Sequence, residues 1–191
     1  MRKLTLAFIT GAISFMPAII KAQAFEEGKS QISVGYGLGN TTQSYMSAYD
    51  KASYPELQFS SLGPVFFKYE FGISEKVGFG LNVAYAEAGI DYSYGVEKAS
   101  IKWWNTSFNA RFNRHFGSND KFDPYMGLGI GYKIGNWKLE GGNDTEERKA
   151  FIPLGFEATV GARYMFTPNI GLFSEVGLAK GIIQAGLNIK I

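Results

Sequence analysis

The feature that most restricts this 191-residue chain is a period of two, recurring in eight segments whose apolar faces carry no charge over their central positions. Successive side chains of an extended strand point to opposite sides, so strict alternation defines two faces of a sheet. No stretch after Ala24 sustains a helical period. The first segment, near Ser30 to Gly39, sets Ile32, Val34, Tyr36 and Leu38 against Gln31, Ser33, Gly35 and Gly37. The second runs from Phe59 to Ile73 and the third from Val77 to Ala86, where Phe79, Leu81, Val83 and Tyr85 oppose Gly78, Gly80, Asn82 and Ala84. The fourth, Ser100 to His115, sets Trp104, Phe108 and Phe112 against Asn105, Asn109, Arg111 and Asn113. The fifth runs from Phe122 to about Asn136, the sixth from Phe151 to Phe166, the seventh from Ile170 to Leu178 and the eighth from Ile183 to Ile191.

Alternation leaves open whether the apolar face points into a core or out into lipid. Composition decides between them. A soluble barrel would expose a polar face dense in Lys and Glu, whereas here that face is mostly Gly, Asn, Ser and Thr with a few charges of both signs. Those charges are Lys68, Glu70, Arg111, Lys133, Glu157, Arg163, Glu175 and Lys190. Trp104 to Phe112 is nine residues, which at ~3.3 Å per residue and ~40° tilt crosses about 23 Å, close to the apolar band of a membrane barrel. Short turns at 74–76, 117–121 and 167–169 fall at one end, and longer connections near 40–58, 87–99 and 137–150 at the other. Aromatics collect at both ends of the apolar face: Phe71, Phe79, Phe112, Tyr164 and Phe166 by the short turns, and Tyr85, Trp104 and Tyr132 by the long loops. Two such girdles belong to a membrane barrel, although aromatics also collect in the core of a β-sandwich. The expectation is an all-β chain folded as an eight-stranded antiparallel up-and-down transmembrane β-barrel.

Residues 1–24 read as a cleaved signal peptide preceding a barrel domain over 25–191. Arg2 and Lys3 precede an apolar run from Leu4 to Ile20, and Ala22-Gln23-Ala24 supplies the small residues of a cleavage site. Removing this segment leaves 16 basic and 17 acidic residues, so the mature chain has no basic excess and no nucleic-acid partner is expected. The absence of cysteine excludes disulfides and thiolate chemistry, and a single histidine excludes a histidine-built metal centre.

The stretch Asp123-Pro124-Tyr125-Met126-Gly127-Leu128-Gly129-Ile130-Gly131-Tyr132, with Gly161 to Leu172, resembles the small bacterial outer-membrane β-barrel proteins. These are the porin-like eight-stranded group that includes the outer-membrane protein A, X and W relatives. The likeness covers essentially the whole mature chain and implies residence in the bacterial outer membrane, with outer-membrane lipid as the immediate partner and a monomer as the assembly. Such chains often end in an aromatic residue, whereas this one ends in Ile191.

Candidate chemistry is sparse. The glycines of 35–39 and 127–131 neither match a full nucleotide fingerprint nor open a helix, and read as inward glycines relieving a crowded interior. His115 ends the fourth segment beside a short turn, on the expected periplasmic rim, away from the outer rim where barrel hydrolases of this kind work. Glu70, Glu157 and Glu175 share their face with Lys68, Arg111 and Arg163, so ion pairing is a simpler account of them than acid–base catalysis. Neither a catalytic site nor a cofactor is expected. Tyr45, Tyr49, Tyr54, Tyr92 and Tyr94 lie in long loops and suit contact with an extracellular protein or glycan. The function expected is a non-enzymatic envelope-structural or surface-interaction protein with a side-chain-filled lumen; the alternative, suggested by the protein W relatives, is a narrow channel for small or hydrophobic solutes.

Overall fold

The computed structural model describes residues 23–40, 58–94, 97–117, 119–141, 144–149 and 153–191. The segment expected to be a signal peptide therefore lies almost wholly outside the described residues. Nine strands are present among them: β1 (Ser30–Asn40), β2 (Gln58–Ser74), β3 (Val77–Tyr94), β4 (Glu97–His115), β5 (Phe122–Gly141), β6 (Asp144–Lys149), β7 (Leu154–Met165), β8 (Ile170–Leu178) and β9 (Gly181–Lys190).

Eight of these close into an antiparallel barrel. Neighbours in sequence pair in turn, β7 follows β5 directly, β9 returns to β1, and β4 pairs with β5 to complete the ring. Closure pairs the strand edges around the ring itself, which a chain crossing hydrocarbon requires because lipid offers no hydrogen-bond partners. The short turns are held locally. In the β7–β8 turn the Thr167 hydroxyl accepts from the amides of Asn169 (3.3 Å) and Ile170 (2.9 Å).

The side-chain distribution is inverted relative to a soluble domain. Leu128, Ile130 and Phe156 are 58–60% exposed on the outside, whereas Arg111, Glu157 and Glu175 are 3% exposed or less inside. The inward glycines have a steric role here. A Cβ on Gly129 would sit 2.6 Å from Glu157 Cγ, and one on Gly161 2.6 Å from Glu175 Cγ. The long acidic side chains thus occupy the space these glycines leave open.

Two segments expected to be loops are largely strand. β3 and β4 stay paired up to Tyr94↔Glu97, through most of 87–99, and β5 pairs with β6 from Asn136↔Lys149 to Gly141↔Asp144, within 137–150. Past the membrane both faces of a strand meet water, so the ladder continues by backbone hydrogen bonding while the alternation that reveals strands in the sequence lapses. β6 accordingly lies above the ring and, among the described residues, pairs with β5 alone.

Candidate functional site

The lumen is built from one parity of each strand. On β4 this parity carries Asn105, Ser107, Asn109, Arg111, Asn113 and His115, all buried. Arg111 is the hub of an upper tier. Its Nη1 lies 3.3 Å from Glu157 Oε1 on β7 and its Nη2 3.0 Å from Glu175 Oε2 on β8. Nη2 also donates to Thr159 Oγ1 (2.8 Å) and Nε to Asn113 Oδ1 (2.7 Å), so the guanidinium's donors are spread over β4, β7 and β8. Glu175 further holds Lys68 of β2 at 2.8 Å and accepts from the Tyr125 hydroxyl at 2.7 Å. The Lys68 ammonium also donates to Gln184 Oε1 (2.8 Å) and sits 4.8 Å from the Phe173 ring centroid. Asn82 of β3 donates to Glu157 Oε2 at 2.5 Å.

A lower tier lies next to the short turns. Glu70 pairs with Arg163 and meets His115 Nε2 at 2.8 Å, while His115 Nδ1 is 2.9 Å from Asp123 Oδ2. Arg163 Nη1 lies 3.5 Å from the same Asp123 oxygen. Both ring nitrogens of His115 thus face carboxylates, and a doubly protonated ring donates to both. With His115 charged, four cations (Lys68, Arg111, His115, Arg163) balance four carboxylates (Glu70, Asp123, Glu157, Glu175), which is the condition for burying so many charges together. Tyr125 joins the tiers, its hydroxyl on Glu175 and its ring 4.5 Å from the Arg163 guanidinium.

Beneath this tier the segment before β1 turns across the mouth. Phe25 is buried and stacks on His115 with ring centroids 3.5 Å apart and planes 5° from parallel. Gln31 Nε2 donates to Ala24 O (2.9 Å), and Lys190 pairs with Glu26 at 2.7 Å. Above the upper tier the lumen is hollow: a cavity of about 250 Å³ is lined by Asn105, Ser107, Asn109, Lys133, Glu157 and Lys180 among others. Lys180 Nζ reaches across to donate to Ala84 O (2.8 Å) and Asn105 O (3.0 Å).

All six charges singled out in the sequence fall in these tiers: Lys68, Arg111, Glu157 and Glu175 above, Glu70 and Arg163 below. Sequence reasoning missed Asp123 and Tyr125 and assigned His115 no structural partner. The signal was parity, since His115 continues the inward series of Arg111 and Asn113, and Asp123 and Tyr125 precede inward Gly127 and Gly129. Of the aromatic residues, Phe71, Phe79 and Phe112 are successive register neighbours and, with Tyr164, Phe166, Trp104 and Tyr132, are exposed outside the barrel; Tyr85 is half-buried there. Tyr92 and Tyr94 stand on extended β3, while Tyr45, Tyr49 and Tyr54 lie outside the described residues.

Among solved structures the chain resembles OprG of Pseudomonas aeruginosa (14% identity, 87% of this chain and 97% of that chain, TM-score 0.48). It also resembles Ail, the attachment invasion locus protein of Yersinia pestis, solved with the heparin analogue sucrose octasulfate (17% identity, 86% and 96%, TM-score 0.45). A third is the N-terminal β-barrel domain of Pseudomonas aeruginosa OprF (16% identity, 86% and 96%, TM-score 0.42). No curated protein matches the sequence. The outer membrane protein beta-barrel domain family matches over residues 8–183, nearly the full chain. With alternation, closure and an uncharged lipid-facing wall already in place, that match makes this chain a member of the outer-membrane β-barrel family, resident in the bacterial outer membrane.

Proposed function

We propose that the protein is a non-enzymatic, monomeric barrel that strengthens the envelope and presents its extracellular hairpins for surface contact, with a lumen closed to solutes by its own side chains. The observation that carries this reading is the two-tier network. Lys68, Arg111 and Arg163 each cross from their own wall to carboxylates on other strands, and Phe25 lies under His115 at the periplasmic mouth. An eight-stranded barrel encloses just enough room for side chains, so a network on this scale leaves no continuous water path. The outward aromatics then serve as anchors at the two lipid–water boundaries.

Single-channel recording of the mature protein in a planar bilayer tests the reading. Wild type is expected to conduct near zero, and Arg111→Ala or Arg163→Ala to open measurable conductance. A wild type that conducts steadily, with a conductance these substitutions leave unchanged, would refute closure.

The second reading, a narrow channel for small or hydrophobic solutes, draws support from the cavity of about 250 Å³ above the upper tier. It requires the network to part, and the same recording separates the two.

A further inference from the structure

The strands that rise above the ring form a curved sheet of five, from β2 to β6, whose outward face carries side chains in cross-strand rows. One row is Leu62, Glu87, Trp104 and Asn136; the next is Ser60, Gly89, Lys102, Lys138 and Glu147. Together these residues line a groove of about 420 Å³. It starts at Trp104, level with the outward aromatics at the long-loop end, so it faces sideways over the outer leaflet. Gly89 gives the groove its depth: it places no side chain between Ser60 and Lys102, and a Cβ there would come 2.6 Å from Ser60 Oγ.

The charges select the ligand. Lys102 and Lys138 are directly opposed in register, an arrangement that repels unless compensated. Glu140 compensates both, at 3.7 and 2.6 Å. The hydrogen bond from Lys138, and then its charge, hold the Glu140 carboxyl below the usual carboxylate range. Glu87 and Glu147 supply the two carboxylates of the groove wall itself, so they balance its two ammonium groups, Lys102 and Lys138, and the wall carries no net charge. Such a wall gives no net attraction to a sulfated or phosphorylated ligand. It does offer hydroxyl-binding carboxylates, an amide at Asn136, a hydroxyl at Ser60 and an indole for an apolar ring face, the combination suited to a neutral sugar.

We propose that this groove binds a neutral saccharide, supplied by the headgroup of a glycolipid in the outer leaflet. The proposal deepens the surface-contact side of the function above; conductance reports on the lumen and is blind to this groove, so the two can fail separately.

The chain's three tryptophans, Trp103, Trp104 and Trp137, all lie on these rising strands, so selectively excited tryptophan emission reports on this region. The mature barrel in lipid nanodiscs is titrated with a dihexosyl diacylglycerol, with the same free disaccharide, and with a sulfated disaccharide, folding being verified by heat-modifiable gel mobility. A saturable shift with the glycolipid is expected, weakened about tenfold or more by Gly89→Phe, which fills the groove, and by Asn136→Ala. Lys76→Gln, exposed in the short turn at the opposite end of the barrel, is expected to leave it within about threefold. Tighter binding of the sulfated sugar, lost in Lys102→Gln, would overturn the neutral-saccharide assignment. Equal binding of the free disaccharide would overturn the glycolipid source. No shift with any probe, or a shift that folded Gly89→Phe and Asn136→Ala both leave intact, would overturn the site.

Discussion

Replacing Arg111 by alanine removes the side chain on which the upper tier depends, and the consequences differ between its two carboxylate partners. Glu175 keeps Lys68 at 2.8 Å and the hydroxyls of Tyr125 and Thr159 at 2.7 and 2.9 Å. Among the described residues Glu157 keeps the amide of Asn82 as its hydrogen-bond donor, with the Lys68 charge acting on it at longer range. Breaking a buried pair by removing one partner costs about 3–5 kcal/mol, because a charge is left without compensation. Glu157 lines the upper cavity, where water can replace part of the lost guanidinium, so the expected cost lies near the lower end, about 3 kcal/mol. The second substitution then discriminates. Adding Glu157→Gln removes the orphaned charge and should recover about 1–2 kcal/mol relative to the sum of the single variants. Adding Glu175→Gln instead strips Lys68 of its carboxylate and should recover less. Urea unfolding from lipid vesicles, with midpoints and m-values fitted for wild type, the three single variants and the two double variants, measures both cycles. A single-variant cost below about 1 kcal/mol, or additivity in the Glu157 cycle, would show that the network does not bear on stability in this way.

Phe108, Ile130 and Val160 point outward and are 47%, 60% and 55% exposed; arginine at any of them should cost about 2–4 kcal/mol near the membrane midplane. Lysine at inward Asn109 should cost less, and vesicle-folding assays giving the reverse order would invert the facing assignment. Export should remove residues 1–24 and leave Phe25, which stacks on His115, as the first residue; intact-mass measurement of the envelope protein checks this, and a mature chain beginning at Met1 would refute it.

The two faces of each strand are legible in the alternation alone. A period of two is a local property, so the identity of each residue's side, and the confinement of charge to one side, could be read from Ile32 or Arg111 without knowing any partner. The same locality made Arg111, Glu157 and Glu175 recognisable as sharing an interior. Which of them meet depends on the closed barrel. Glu70 and Arg163 are 93 residues apart and Arg111 and Glu157 are 46 apart; their contact depends on strand register and on the β4–β5 closure, and one face pattern is compatible with many registers. The structure also decided where strands stop. β3, β4 and β5 run on beyond the membrane because backbone pairing persists there, while the loss of a lipid-facing side removes the alternation that would reveal it. The rows that align Trp104 with Asn136 and Lys102 with Lys138 exist only once those strands lie side by side, which is why the outer groove had no counterpart in the linear pattern.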